Sequence, residues 1–474
     1  MKRGKKAALL TLLYILVNAG LGAEDYPRIE PSPWTSGIGS LDGPPAVSQL
    51  IEASLFASGL GEQDFPEYRN RIHSLLSGLP GYVREKSGAL PAGEAVLHYL
   101  HEKLFTRYAE PQTLIHVSLN TGRYNCVSSA VLYAIAARFA GLQVEGVVTP
   151  DHAFCRVIEN GTGTDVETTN PYGYNPGQKR EFINAFGQTG FTYVPPGNYH
   201  LRTGIDEREL VGLILQNRIS RLQRENRIDL AVPLAVDRYA MTRTERTEAE
   251  MRKEFINYTS VLNGERRFDE ALEFLDAVRL RWGENDEYSN ILDTLLYNSS
   301  VIAGRDGREE EALARLSFRH GMGDLSEESF LKYRHILGDG LIYRYSTTRG
   351  PLDSLTELER LHDDGLISDA TYSEYLAVLH IRRAKEIALD QGDLAALEYF
   401  RDHELQKSTD QRIRQAFEIF THNAAAFYHN RFVALFREKR YREAGNLIQE
   451  GLDELSGNPL LLRDQQILRQ AQNP

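Results

Sequence analysis

The chain has 474 residues, with 54 lysines and arginines against 66 aspartates and glutamates, so its formal net charge is −12. This acidic balance argues against binding to a nucleic-acid backbone, which requires clustered positive charge. Two cysteines, Cys126 and Cys155, are too few for a disulfide scaffold or a four-cysteine metal site. At this length we expect about two or three domains.

Residues 1–23 are typical of a secretory signal peptide. Basic residues precede an apolar run at 7–17, which is too short to span a bilayer, and small residues follow up to Ala23. The sequence therefore predicts an exported bacterial protein, periplasmic or secreted. The alternative is a protein anchored to the membrane by an uncleaved signal, which would be its only membrane contact. Residues 24–45 are rich in Pro, Ser and Gly and are predicted to form a linker or an irregular lead-in to the first domain.

The first segment that points to chemistry surrounds Cys126. After amphipathic helices such as 47–57 and 93–105, residues 127–140 form an Ala-rich apolar run that Gly141 ends, which predicts a buried helix. Cys126 falls in the first turn of that helix, where unpaired amides and the helix dipole favour an anion such as a thiolate. A nucleophilic cysteine would be placed here. The alternative is a small buried thiol at a helix start.

Three strands are predicted after this helix, at residues 142–148, 152–158 and 164–168. An Asn-Gly pair at 160–161 is a strong signal for a two-residue hairpin loop between the last two. With that loop, Glu159 pairs with Thr162, and pleat alternation makes Glu167 a diagonal neighbour of His152 on one face. The hairpin therefore offers a histidine with a carboxylate to orient it, which is the arrangement that a catalytic cysteine requires.

Other residues near this hairpin leave alternatives open. Asp165 lies on the same face but one step farther from His152. Cys155 lies on the opposite face, toward the predicted helix, and is expected to be a small buried hydrophobe. A disulfide between Cys126 and Cys155, or a zinc ion bound by these two and His152, remains possible from the sequence. Tyr172, which follows an Asn-Pro turn signal, is expected to line the cleft mouth or to cap a turn.

The second half of the chain contains an internal repeat, in which an Asn is followed fourteen residues later by an Ala that opens an apolar helix. The pairs are Asn217 and Ala231, Asn257 and Ala271, Asn298 and Ala312, and Asn430 and Ala444. Polar turns between paired helices are predicted at 225–226, 265–266, 306–307 and 439–440. Residues 206–474 are therefore predicted to form an α-solenoid that binds a protein partner or substrate, with degenerate units at about 320–410.

Segments 268–271 and 441–444 resemble the second helix of a tetratricopeptide repeat, and a generic helical array is the alternative. Segments 123–129, 146–154 and 165–169 together resemble the transglutaminase-like superfamily, within which some bacterial proteins also carry tetratricopeptide repeats. The third segment departs from the family, which commonly has Asp in an Asp-Pro-Thr context where this chain has Glu-Thr-Thr.

The resemblance implies a papain-like α+β core over residues 46–205, with a Cys-bearing helix packed on an antiparallel sheet. It also implies acyl transfer on amides. We expect a peptide or glutamine-type amide as the substrate, with cell-wall peptides included, and we expect no cofactor or metal. Cys126, His152 and Glu167 would be the catalytic residues. The Cys126 amide would be one oxyanion donor, and Asn120 and Asn125 are candidates for the second. Some family members have lost the nucleophile and only bind, so an inactive scaffold is the alternative function.

Overall fold

The computed structural model describes residues 26–159, 161–176 and 200–472. The predicted signal peptide lies outside these residues. The chain is mostly helical with a small antiparallel sheet, so the α+β class and the helix-rich second half agree with expectation. Its described residues divide into two compact units, 26–291 and 292–472. Within them, no helix combines the length and apolar character needed to cross a membrane.

The helices of the first unit are α1 (Pro33–Gly39), α2 (Val47–Ala57), α3 (Phe65–Ser77), α4 (Leu79–Lys86), α5 (Ala92–Lys103), α6 (Ile115–Thr121), α7 (Cys126–Phe139), α8 (Glu207–Arg224), α9 (Ile228–Thr242), α10 (Glu245–Gly264) and α11 (Phe268–Trp282). Its strands are β1 (Arg107–Tyr108), β2 (Arg123–Tyr124), β3 (Gln143–Thr149), β4 (His152–Glu159), β5 (Thr162–Val166) and β6 (Thr203–Ile205).

The antiparallel sheet has the order β5-β4-β3-β6, while β1 and β2 form a short parallel pair. In the β4–β5 hairpin, Glu159 pairs with Thr162 and Arg156 with Asp165, which confirms the predicted register. The third strand, predicted at 164–168, instead spans Thr162–Val166. The chain turns back directly after it, because the Glu167 amide donates to the Gly173 carbonyl at 2.8 Å and so leaves the ladder.

Helix α7 packs against β3 and β4, as its apolar sequence predicts. Ala130, Ala134 and Val157 are all buried in the shared core, and Gly141 ends this segment with a φ of +82° that suits glycine. Helix α8 packs on α2, α7 and β3 and adds its own apolar face, including Ile214, to the same core. The first helix of the predicted repeat region is therefore part of the packing that supports the sheet.

Residues 26–45, predicted to be a linker, are instead ordered by contacts with α9. Asp237 is 2% exposed and accepts hydrogen bonds from the Ser32 amide at 2.8 Å and the Thr35 hydroxyl at 3.0 Å. Its other oxygen pairs with Arg28 at 2.6 Å. A buried carboxylate is costly unless it is paired and hydrogen-bonded, so Asp237 holds this segment in place.

Helix α12 (Asp286–Asp306) crosses the division between the units. The second unit continues with α13 (Glu309–Met322), α14 (Glu327–Thr348), α15 (Pro351–Asp363), α16 (Asp369–Gln391), α17 (Asp393–Asp402), α18 (Gln411–Arg437), α19 (Tyr441–Glu454) and α20 (Pro459–Gln472).

The predicted turns between paired helices are confirmed in both units. Each contains a residue with positive φ, namely Asn226, Arg266, Gly307 and Lys439. The alanines that follow them are at most 5% exposed: Ala231, Ala271, Ala312 and Ala444. A small side chain there lets the two helices approach closely, which explains why an alanine stands at this point of each unit.

Candidate active site

The start of α7 positions Cys126. Asn125 is the N-cap: its Oδ1 accepts from the Ser128 amide at 3.0 Å, and Ser128 Oγ accepts from the Asn125 amide at 2.9 Å. Asn125 Nδ2 also donates to the Glu110 carbonyl at 3.0 Å. This reciprocal cap begins the helix at Cys126, whose side chain is partly exposed. A substrate carbonyl could therefore reach the sulfur next to the first helical amides.

His152 and Glu167 form a buried pair. His152 Nε2 lies 2.7 Å from Glu167 Oε2, and both side chains are only 4% exposed. The other carboxylate oxygen of Glu167 accepts from the Thr169 amide at 3.1 Å and the Thr169 hydroxyl at 2.6 Å. These bonds fix the carboxylate in one orientation, and the carboxylate in turn fixes the imidazole. Glu167 thus contacts His152 although it lies beyond the end of β5.

The pKa of His152 depends on both Glu167 and Cys126. Burial lowers the pKa of His152, but the charge of Glu167 and hydrogen bonds with Cys126 and Glu167 outweigh it and raise the pKa to about 10. The imidazole of His152 therefore interacts with both the Glu167 carboxylate and the Cys126 thiol.

Side chains from other elements hold the turn that carries Glu167. His101 Nε2 lies 3.0 Å from the Thr168 carbonyl, and the Tyr124 hydroxyl donates to the Thr169 carbonyl at 3.2 Å. Burial lowers the pKa of His101 to about 4, so its ring is neutral at neutral pH and donates through Nε2. The sequence reasoning missed both residues. Tyr124 lies within the segment that resembles the family, but His101 carried no signal.

Asp165 and Cys155, the second acidic residue and the second thiol considered from the sequence, have other partners. Asp165 Oδ1 accepts from Arg156 Nε at 2.7 Å, so its carboxylate is held by an arginine on the neighbouring strand. Cys155 is fully buried and its sulfur contacts the Ala130 carbonyl at 3.3 Å, on the helix side of the sheet as expected. Cys126 and Cys155 are both free thiols, so the disulfide alternative is not present. Within the described ranges, no group of three or more His, Cys, Asp or Glu is arranged to hold a metal.

The two candidate amides for an oxyanion hole have other partners. Asn120 Nδ2 donates to the Tyr68 hydroxyl at 3.1 Å, and its Oδ1 accepts from Arg71 at 2.6 Å. Asn125 is committed to the helix cap described above. Neither side chain is therefore assigned as an oxyanion donor.

Comparisons with protein-family models, with curated proteins and with solved structures found no match for this chain. The chemistry of the site is therefore inferred from its residues and their geometry.

The raised pKa of His152 makes stability depend on pH. A group whose pKa rises on folding, here from 6.5 to about 10, contributes stability that is complete below about pH 6.5 and is lost as the pH rises through about 10. We expect the difference in unfolding free energy between the wild type and His152→Gln to shrink over that range. Urea unfolding of both proteins at several pH values measures this difference. A difference that does not vary with pH would contradict the raised pKa of His152.

Gly173 supports the site by its lack of a side chain. A Cβ at this position would lie 1.9 Å from the Glu167 carbonyl oxygen. Gly173→Ala is therefore expected to cost about 1–3 kcal/mol or more and to displace Glu167. Gly88→Ala is the matched control, because a Cβ there meets nothing within 4 Å. Urea unfolding measures the loss of stability, and the alkylation rate of Cys126 measures the displacement of Glu167. If both variants have the same stability and the same alkylation rate, the turn at Gly173 does not support the site.

Proposed function

We propose that this chain is an exported cysteine-dependent acyl-transfer enzyme, an amide or peptide hydrolase or a transglutaminase-like transferase. The observation that carries the proposal is the buried hydrogen bond between His152 and Glu167, with Cys126 at a helix start within hydrogen-bonding reach of the same imidazole. Nucleophile, base and orienting acid are the parts that acyl transfer needs. The Cys-bearing helix on an antiparallel sheet is consistent with a transglutaminase-like core of the papain type.

The reaction would proceed through a thioester. The Cys126 thiolate attacks the amide carbonyl, and the backbone amide at the helix start stabilises the oxyanion. His152 gives its proton to the leaving amine as the C–N bond breaks. His152 then takes a proton from water or from an acceptor amine, which attacks the thioester and releases Cys126. Glu167 holds the imidazole in one orientation and stabilises its protonated form throughout.

The helix pairs beyond the sheet would recruit the substrate or a protein partner. We propose a tetratricopeptide-like array over 206–474, supported by the regular turns and buried alanines described above, and a peptide or protein substrate, including cell-wall peptides. Export is proposed from residues 1–23, with membrane contact only through an uncleaved signal. The acidic composition makes nucleic acid an unfavourable partner.

The second candidate function is an inactive binding scaffold with the same domain. One observation favours it: the amides of Asn120 and Asn125 are bonded elsewhere, so a side-chain oxyanion donor is not assigned. A glutamate where the family commonly has aspartate points the same way. An intact thiol, imidazole and carboxylate in contact favours the enzyme.

Thiol reactivity separates the two functions. We expect iodoacetamide at neutral pH to alkylate Cys126 in the folded protein at least about 10-fold faster than a cysteine in the unfolded chain, because the charged imidazole of His152 interacts with its partly exposed sulfur. Peptide mapping assigns the modified cysteine. If the folded and unfolded rates are equal, the scaffold is the better description. Pull-down with the Cys126→Ala protein then identifies the substrate that the site retains.

A further inference from the structure

Three separate elements carry the candidate catalytic residues. Cys126 begins α7, His152 begins β4, and Glu167 lies in the turn after β5. Two connections between these elements are described above, because the imidazole interacts with the thiol and with the carboxylate. A third connection runs from α7 to the turn and does not involve the imidazole. The mechanism proposed above makes no use of the side chains that form it.

A pair of buried hydroxyl groups forms this third connection. Ser129 Oγ lies 2.8 Å from Thr168 Oγ1, and both residues are 0% exposed, so solvent does not compete for this hydrogen bond. Ser129 lies on α7, three residues after Cys126, and Thr168 directly follows Glu167 in the turn. A residue next to the nucleophile on its helix is therefore hydrogen-bonded to a residue next to the orienting acid.

The hydrogen bonding extends to the backbone of Cys126. The Ser129 hydroxyl donates to the Cys126 carbonyl at 3.2 Å. A hydroxyl group has a single proton to donate, so Ser129 accepts from Thr168. The chain of bonds therefore runs from the Thr168 hydroxyl through Ser129 to the peptide unit of the nucleophile. A shift of the turn relative to α7 would lengthen a bond in this chain.

The contacts that hold this turn from other directions come from different elements. His101 on α5 and Tyr124 on β2 bind backbone carbonyls of the turn, as described above. Those bonds attach the turn to α5 and β2, whereas Ser129 attaches it to the helix that carries the thiol. The separation between the thiol and the imidazole depends on how α7 and the turn are held relative to each other.

We propose that Ser129 and Thr168 are positioning residues, whose hydrogen bond sets the separation between the Cys126 thiol and the His152 imidazole. This inference rests on the proposed acyl-transfer function and assigns two further residues to it. A methyl group cannot approach Ser129 Oγ to 2.8 Å, because non-bonded carbon contacts lie at about 3.5–4.0 Å. Loss of the Thr168 hydroxyl would therefore move the turn from α7 by up to roughly 1 Å, and a misplacement of that size can slow a reaction about 100-fold.

Single substitutions in the full chain test this role. Thr168→Val keeps the shape of the side chain but removes the hydroxyl, and Ser129→Ala removes its partner. We expect each to slow acylation of Cys126 by a p-nitrophenyl ester about 10- to 100-fold. The half-saturating ester concentration should stay within about threefold, because the buried hydroxyls do not contact the ester. Thr168→Ser keeps the hydroxyl and should retain at least about a third of the wild-type rate. Either hydroxyl-free variant tests the role if the other does not fold.

A double variant and a matched control separate positioning from a general loss of stability. If the two hydroxyls act through one bond, Ser129→Ala/Thr168→Val loses about as much rate as either single variant, not the product of the two losses. Thr247→Val is the control, because its hydroxyl lies 2.8 Å from that of Thr242 in another buried pair, between α9 and α10. This control should lower the urea midpoint without slowing acylation of Cys126.

Each outcome decides between the proposals. Rapid acylation of the wild type with no loss in Thr168→Val overturns the positioning role and leaves the acyl-transfer function standing. The role is also overturned if Thr168→Ser is as slow as Thr168→Val, if the double variant shows the product of the two losses, or if Thr247→Val is equally slow. If Cys126 of the wild type reacts no faster than a cysteine in the unfolded chain, the proposed function fails and the positioning role with it.

Discussion

Replacing Cys126 by alanine is expected to abolish acyl transfer and covalent labelling by thiol-directed acyl probes, with a loss in rate of at least about 10³-fold. The loss follows because Cys126 is the partly exposed thiol at the start of α7 that reaches His152. The rate of probe labelling by intact mass, followed by peptide mapping, measures it. Turnover of an acyl substrate provides a second readout.

The second thiol of the chain provides a matched control. Cys155 is fully buried against the Ala130 carbonyl, and burial raises its pKa well above the ordinary value, so its thiolate is suppressed. Cys155→Ala should therefore retain labelling and turnover. Labelling that persists in Cys126→Ala, or that disappears in Cys155→Ala, would show that the nucleophile is assigned to the wrong residue.

Glu167→Gln is expected to reduce the rate constant for acyl transfer by a factor on the order of 10⁴, as neutralising the acid of a triad does elsewhere. The amide keeps the shape of the side chain but removes the negative charge that raises the pKa of His152. The imidazole then loses both its preferred orientation and the stabilisation of its protonated form. Steady-state kinetics over a range of pH measures the loss in rate. The part of the pH–rate profile that reflects the titration of His152 should shift to lower pH.

Asp165→Asn is the control for this variant. Asp165 lies two residues before Glu167, on β5, and its carboxylate pairs with Arg156 at 2.7 Å. Removing its charge weakens a partly exposed ion pair, which is worth at most about 1 kcal/mol, and leaves the imidazole untouched. Equal losses in the two variants, or a larger loss in Asp165→Asn, would mean that Glu167 is not the orienting acid.

The contact between His152 and Glu167 followed from local rules. An Asn-Gly loop sets the register of a two-residue hairpin, and pleat alternation then decides which side chains can meet. The position of Cys126 at a helix start followed from the Ala-rich apolar run at 127–140 that Gly141 ends. Both rules operate over a few residues, which explains why the candidate site could be predicted from the sequence although β5 ends before Glu167.

The features that the sequence did not predict depend on contacts between distant segments. His101 and Tyr124 reach the turn after Glu167 from α5 and β2. Residues 26–45 have the composition of a linker, yet Asp237, more than two hundred residues away, binds them. Hydrophobic periodicity describes each element alone, and it carries no information on which side chain will satisfy a buried carbonyl or carboxylate.

Direct observation of an acyl group on Cys126 tests the central claim most directly. The purified chain is mixed with a p-nitrophenyl ester, quenched at short times in acid and examined by intact mass and peptide mapping. The account predicts one acyl group on Cys126 that forms in a burst, decays by hydrolysis and is absent in Cys126→Ala. Acylation of Cys126 that is absent, or no faster than in the unfolded chain, would contradict it.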